Sequence, residues 1–141
     1  MCIRDRDYKS YTFLLDELKS KSKVEMWTAS KFNKELERIP KGGAVIVNIS
    51  GFTIEHANTK YWSFIVKDQE GNELANVEGK SDVPEYTVTQ YGTVWWNIEY
   101  IPLSKEVIQP FNVYVIDKLL SKRSDFIVPV SYTHLTLPTK A

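Results

Sequence analysis

In the first third of the chain, apolar residues recur at helical spacing. The two apolar faces consist of Tyr11, Leu14, Leu18 and of Phe32, Leu36, Ile39. A period of three to four residues places side chains on one face of a helix, so the pattern predicts two short amphipathic helices. Residues 10–21 form the first. The second can be capped by Thr28 or Ser30, and Pro40 stops it.

After Gly43 the period of the apolar residues changes to two. Alternating apolar and polar residues predict β-strands, because successive side chains of a strand point to opposite faces. The predicted strands span residues 44–50, 61–67, 73–78, 86–90, 93–101, 111–117 and 125–128. A loop at residues 68–72 and a turn at residues 91–92 join neighbouring strands as hairpins. No segment of helical length separates these strands, which disfavours a parallel α/β fold.

The order of these elements predicts an α+β fold. It is mainly an antiparallel β-sandwich of about seven strands, preceded by two short helices. The pattern resembles an immunoglobulin-like or fibronectin-like sandwich, although Cys2 is the only cysteine and the core cysteine pair of immunoglobulin domains is absent. We assign residues 7–43 to an N-terminal helical segment and residues 44–129 to the antiparallel β domain.

The two ends of the chain, residues 1–6 and 130–141, resemble translated sequencing-library adaptor. Residues 1–6 match the end sequence of transposase-based libraries, and residues 130–141 match the reverse complement of the same element. The alternative for residues 130–137 is a last strand, because they alternate and are rich in β-branched residues. We interpret both ends as adaptor-derived artefacts, expect them to pack poorly, and read residues 7–129 as a fragment of a longer protein.

Charge and composition exclude several classes of function. The chain has 18 basic and 18 acidic residues and becomes mildly acidic without its two ends, so it has no general attraction to nucleic acid. It has no run of about 18 apolar residues, so no membrane span is predicted. Outside the ends His56 is the only histidine and no cysteine remains, so we predict no metal site and no cofactor. The localisation stays open, with an extracytoplasmic one favoured.

Strand alternation divides the aromatic residues between core and surface. The predicted core positions are Val94, Trp96, Ile98, Tyr100, Trp62, Phe64, Val66, Phe111, Val113 and Val115. The predicted outward positions are Trp95, Asn97, Glu99, Tyr61, Ile65, Tyr114 and Ile116. The strand at residues 93–101 therefore carries large side chains on both faces.

The outward set predicts a ligand-binding surface. Its residues are Trp95, Tyr114, Tyr61, Asn97, Asn112 and Glu99. Flat aromatic rings with polar groups at their edge are typical of surfaces that hold sugar rings or peptides. Two alternatives stay open: the helices cover these aromatics as a second core layer, or the aromatics contact missing parts of the chain or a partner. Exposure of Trp95 and Tyr114 distinguishes them.

His56, next to Glu55, is the best candidate for a general base, and Glu99 is the other candidate worth mutating. No serine lies in a nucleophile-elbow context, so nothing indicates a hydrolase of that kind. A local hydrogen-bonding role is the simpler interpretation of His56. An enzyme would require His56 within hydrogen-bond reach of a carboxylate.

Together these features predict a non-enzymatic ligand-binding or interaction module of β-sandwich type. Its expected ligand is a carbohydrate, a protein or a peptide, bound on the aromatic outer face. The first alternative is a structural or assembly domain of a larger envelope protein. The second is an enzyme fragment.

Overall fold

The computed structural model describes residues 2–129. This part of the chain contains two α-helices, one 3-10 helix and eight strands. They are β1 (Cys2–Lys9), α1 (Tyr11–Val24), α2 (Ala29–Leu36), β2 (Ala44–Gly51), a 3-10 helix (Thr59–Tyr61), β3 (Trp62–Lys67), β4 (Glu73–Glu78), β5 (Glu85–Thr89), β6 (Gly92–Pro102), β7 (Phe111–Asp117) and β8 (Lys122–Val128). The predicted mainly antiparallel β fold with two short helices is confirmed. One strand more than expected is present, because β1 precedes the helices.

Each helix begins at a side chain that satisfies a free backbone N–H group. The Ser10 hydroxyl accepts from Phe13 N at 3.2 Å and the Thr28 hydroxyl accepts from Lys31 N at 3.1 Å. These are N-cap bonds, which stabilise the first turn of a helix. Of the two candidate caps for α2, Thr28 is therefore the one used.

The strands form two antiparallel sheets of four. The first sheet has the order β1-β2-β6-β5 and the second has the order β4-β3-β7-β8. Hairpin connections join β3 to β4, β5 to β6 and β7 to β8. The loop between β2 and β3 takes the chain from the first sheet to the second.

One hydrophobic core joins the inner faces of the two sheets. Val45, Val47 and Ile49 of β2 contribute from the first sheet. The second sheet contributes Trp62, Phe64, Val66, Phe111, Val113 and Val115. These side chains are almost completely buried, and each set occupies alternate positions of its strand. The core positions predicted for β3 and β7 are confirmed.

The face predicted for β6 is wrong. Cross-strand pairing with β2 puts Glu99 opposite Val47 and Asn97 opposite Ile49, so the odd-numbered residues of β6 share the inner face with the β2 core. Asn97 is 8% exposed, whereas Ile98 is 48% exposed. Alternation misleads here because β6 carries apolar side chains on both faces. The even-numbered ones lie on the outer face, where the helices approach.

The helices lie against the outer face of the first sheet near Tyr100. Leu14 and Leu18 of α1, Ile39 after α2 and Tyr100 line a groove of about 250 Å³ between these elements. The aromatics that the helices were expected to cover, Trp95, Tyr61 and Tyr114, do not line this groove. Tyr100, which was predicted for the core, lines it and is 47% exposed. Trp95 lies on the opposite face of β6, away from this groove.

β1 pairs with β2 along Cys2–Lys9, with a register shift between Ile3 and Asp5. Near the end of β1, the Tyr8 ring packs edge-on against Phe111 at 5.0 Å and its hydroxyl donates to Gly42 O at 2.7 Å. The backbone of residues 2–6 pairs with β2 at the edge of the first sheet, and the poor packing expected of these residues stays a prediction. Their adaptor origin stays a prediction, and residues 130–141 lie outside the described residues.

Candidate functional site

The six residues predicted to bind a ligand do not lie on one surface. Trp95, Asn97 and Glu99 lie on the inner face of β6 in the first sheet. Asn112 and Tyr114 lie on the outer face of β7 in the second sheet, opposite Lys67 and Ile65 of β3. Tyr61 ends the 3-10 helix that precedes β3. The prediction of a single aromatic surface is therefore wrong, and these residues form separate clusters. β6 and β7 belong to different sheets, and the face of β6 that was predicted to point outward points toward the core.

Trp95 forms an aromatic pair with Tyr86, its cross-strand neighbour on β5. The two ring centroids are 5.3 Å apart and the ring planes make an angle of 52°. Tyr86 is 62% exposed, and Trp95 is half-buried between Tyr86 and Gly51, its neighbour on β2. Glycine leaves one side of the indole without a flanking side chain. The pair thus presents an aromatic surface that is held in place yet open to solvent.

Asn97, two residues from Trp95 on β6, holds two loops in place, the one before β3 and the one before β5. Its side-chain amide donates to the Asp82 carbonyl at 3.1 Å and to the Ala57 carbonyl at 3.4 Å. Its side-chain oxygen accepts from Ile98 N at 3.0 Å. A buried amide is tolerated in a core only when its donors and acceptors have partners. Asn97 is therefore a positioning residue that holds residues 57 and 82 near Trp95 and Glu99.

Glu99 supplies a carboxyl group on the same face as Trp95. Burial raises the pKa of Glu99 above its usual range, the nearby Asp82 carboxylate raises it further, and Lys80 opposes the shift. A carboxyl group in such a position accepts hydrogen bonds from a ligand when it is ionised and can donate one when it is protonated. We name the set Tyr86, Trp95, Glu99 and Asp82, with Lys80 beside it, the Trp95 site.

A second aromatic cluster lies on the outer face of the second sheet around Tyr114. The Lys67 ammonium is 5.9 Å from the Tyr114 ring centroid and the Arg123 guanidinium is 5.3 Å from it. Arg123 is also held by Asp125, with an Nε–Oδ1 distance of 2.7 Å. Two cations therefore cover the Tyr114 ring, whereas no cation lies against the Tyr86–Trp95 pair among the described contacts. Tyr114 is half-buried and not covered by the helices.

His56 does contact a carboxylate, although not one that the sequence pointed to. Its Nε2 atom is 2.6 Å from Asp117 Oδ2. The His56 ring also stacks on Trp62 with centroids 5.7 Å apart, and the Trp62 indole donates to His56 O at 2.8 Å. Asp117 is buried, and its other oxygen accepts from Leu119 N and Leu120 N. The contact between His56 and Asp117 ties the loop before β3 to the end of β7. The contacts with Trp62 tie the same loop to β3.

Sequence reasoning missed Tyr86 and Asp82, and it did not pair Asp117 with His56. For Tyr86 the predicted turn at residues 91–92 was wrong by one residue and would set Val88 opposite Trp95. The observed turn at residues 90–91 sets Thr89 opposite Gly92 and therefore Tyr86 opposite Trp95. For Asp117 no local signal existed, because 61 residues separate it from His56. Among the described residues, no group of three or more His, Cys, Asp or Glu is arranged to hold a metal ion. In the same part of the chain, no helix has both the length and the hydrophobicity to cross a bilayer.

No family model, no curated protein and no solved structure matches this chain.

Proposed function

We propose that this chain is a non-enzymatic ligand-binding module of β-sandwich type, immunoglobulin-like or fibronectin-like, and that the Trp95 site binds a carbohydrate. Support for the sandwich comes from two four-stranded antiparallel sheets that share one core. Support for binding comes above all from the Tyr86–Trp95 pair, since a 62% exposed ring rests on a half-buried indole.

The chemistry of the site favours sugars over peptides. The C–H face of a pyranose ring stacks on an aromatic ring, and the hydroxyl groups at its edge need hydrogen-bond acceptors and donors. Glu99 provides an acceptor on the same face of β6, about 13 Å along the strand from Trp95. Asp82 and Lys80 lie near enough to Glu99 to influence its charge, and they add an acceptor and a donor at that end of the site. A peptide bound on the ring faces would instead require a row of apolar pockets, which the polar border of this site does not supply.

Binding to a panel of soluble polysaccharides, measured by affinity electrophoresis and then by titration calorimetry with matching oligosaccharides, tests the proposal. We expect retardation by at least one polysaccharide, and an affinity loss of about tenfold or more in Trp95→Ala and Tyr86→Ala, because each removes a stacking surface. Trp27→Ala is the matched control, since Trp27 lies between the helices under Lys21 and Lys31 and should bind like the wild type. No retardation across the panel, or equal loss in the control, would contradict the proposal.

The enzyme alternative has one observation in its favour, the 2.6 Å contact between His56 and Asp117. In a catalytic dyad the carboxylate orients the imidazole, and the remaining ring nitrogen acts on a substrate. The His56 ring, however, is stacked on Trp62 and both side chains pack between the loop and the end of β7. We therefore propose a structural role for this pair. A His56→Gln variant that loses stability and retains polysaccharide binding would support that role.

A further inference from the structure

Strand β5 forms an open edge of the first sheet. Among residues 2–129 the strand order β1-β2-β6-β5 leaves one side of β5 unpaired, and all five residues of β5 are exposed. Val88 is 71% exposed and Tyr86 is 62% exposed. Natural proteins usually protect such an edge with a lysine, a proline or a bulge. Between Glu85 and Thr89 the pairing with β6 has no register shift, and the segment contains neither lysine nor proline.

The backbone groups at this edge can be assigned from the register. Leu103, directly after β6, donates its N–H to Gly43 O at 2.9 Å, which directs the odd-numbered residues of β6 toward β2. The even-numbered residues of β6 therefore bond to β5. Their partners on β5 are Glu85, Thr87 and Thr89. It follows that Tyr86 and Val88 direct their N–H and C=O groups away from the sheet.

We propose that two copies of this chain associate through β5, as antiparallel strands paired about Thr87. In this register Tyr86 of one copy is opposite Val88 of the other, and the same pair recurs across the twofold axis. Each pair exchanges two backbone hydrogen bonds through the outward groups of Tyr86 and Val88. Aromatic and β-branched residues are favourable cross-strand partners. The result is a continuous sheet of eight strands with an isologous interface.

Two further features of β5 suit a second copy. Glu85 is the only charged residue of the strand, and in this register it faces Thr89 of the other copy, so no like charges oppose one another. The side chains are also already held, since Tyr86 packs on Trp95 and the Trp96 indole donates to Thr87 Oγ1 at 3.1 Å. Little side-chain freedom is then lost on pairing.

The contact area of a five-residue strand is small, so the dimer should be weak. Interfaces well below about 1,200 Å² are typical of transient complexes, and we expect a dissociation constant on the order of 10–100 μM. This inference does not rest on the proposed carbohydrate binding. Tyr86 belongs to both surfaces, but Val88 is outside the Trp95 site, so substitutions at Val88 test the dimer alone. A failure of one therefore leaves the other standing.

Sedimentation velocity over a concentration series from about 5 μM to about 500 μM tests the proposal, because this range spans the expected dissociation constant. The average mass of the wild type should rise from 16.3 kDa toward twice that value. Val88→Pro should stay monomeric, since it removes an N–H that points away from β6 and leaves the pairing with β6 intact. Val88→Lys should also stay monomeric, because a lysine on an edge strand must lose part of its hydration when a second strand pairs there.

Ile108→Lys is the control, since Ile108 is exposed and lies outside β5. It should dimerise like the wild type. Circular dichroism of all variants checks that the fold is retained. A wild type that stays monomeric at the highest concentration would overturn the proposal and leave the edge open to an extended peptide of another protein. A dimer that persists in both Val88 variants would overturn it as well.

Discussion

The strands of the second sheet and strand β6 of the first obey the same alternation rule with different outcomes. In β3 and β7 one face is buried and apolar, apart from Asp117 at the end of β7. The other face is mixed and half-buried, apart from the buried Ser63. In β6 the inner face carries Trp95, Asn97 and Glu99, while the outer face carries the more apolar set Trp96, Ile98 and Tyr100. Hydrophobicity alone thus selects the wrong face when a sheet has a core on one side and helices on the other.

The largest expected effect is in the core strands. Phe64 of β3 is fully buried, so Phe64→Ala should lower the free energy of unfolding by about 3–5 kcal/mol, through lost burial and the cavity left behind. Ile98→Ala on the outer face of β6 should lower it by less than about 1 kcal/mol, because Ile98 is half-exposed. Chemical denaturation of both variants measures the contrast. Similar losses of unfolding free energy at the two positions would indicate that Ile98 is buried in the core.

An intermediate effect is expected at Asn97. Asn97→Ala should lower the free energy of unfolding by about 1–3 kcal/mol, because the Ala57 and Asp82 carbonyls lose a buried donor. Asn112→Ala is the matched control on the outer face of β7 and should stay within about 0.5 kcal/mol of the wild type. If the outward orientation predicted from the sequence were correct, the two substitutions would have equally small effects.

The smallest effect is expected at Glu99 and depends on pH. Folding raises the pKa of Glu99, so protonated Glu99 favours the folded state. This contribution to stability is fully present at pH values below the pKa of Glu99 in the unfolded chain. It is lost as the pH rises through the pKa of Glu99 in the folded state. Glu99→Gln should therefore raise the free energy of unfolding at neutral pH by less than about 1 kcal/mol, the partial exposure limiting the gain.

This gain should disappear below about pH 4, where the carboxyl of the unfolded chain is itself protonated. Glu70→Gln makes the same substitution in the exposed loop between β3 and β4 and is the control, which should stay within about 0.5 kcal/mol of the wild type. Denaturation curves at both pH values measure the difference. A gain that is independent of pH would show that burial of the charge is not its cause.

Much of the fold could be predicted from the sequence because it depends on local patterns. The caps and spacing of the helices, the hairpins and the core faces of β3 and β7 follow from short-range rules. β1 could not be predicted in the same way, since its residues 2–6 resemble adaptor sequence and its pairing with β2 is long-range. The order of the strands within the sheets could not be predicted from the sequence either. This order places β6 and β7 in different sheets.

The candidate site was predictable only where it depends on local patterns. Trp95, Asn97 and Glu99 share a face because strand residues two apart always do, whichever side that face turns to. Tyr86 was not predictable in this way, because the predicted turn at residues 91–92 sets Val88 opposite Trp95 and the observed turn lies one residue earlier. The placement of Tyr114 and Asn112 elsewhere, and the contact between His56 and Asp117, required the three-dimensional arrangement of the two sheets.

The orientation of β6 decides which aromatic side chains can meet a ligand, and nuclear Overhauser effects from those side chains measure that orientation. We predict contacts between the Trp95 and Tyr86 rings, and between the Tyr100 ring and the methyl groups of Leu14 or Leu18 across the helix groove. Contacts from Trp96 or Ile98 side chains to the buried methyl groups of Val47 and Ile49 would contradict this orientation, because they would place the even-numbered face of β6 in the core.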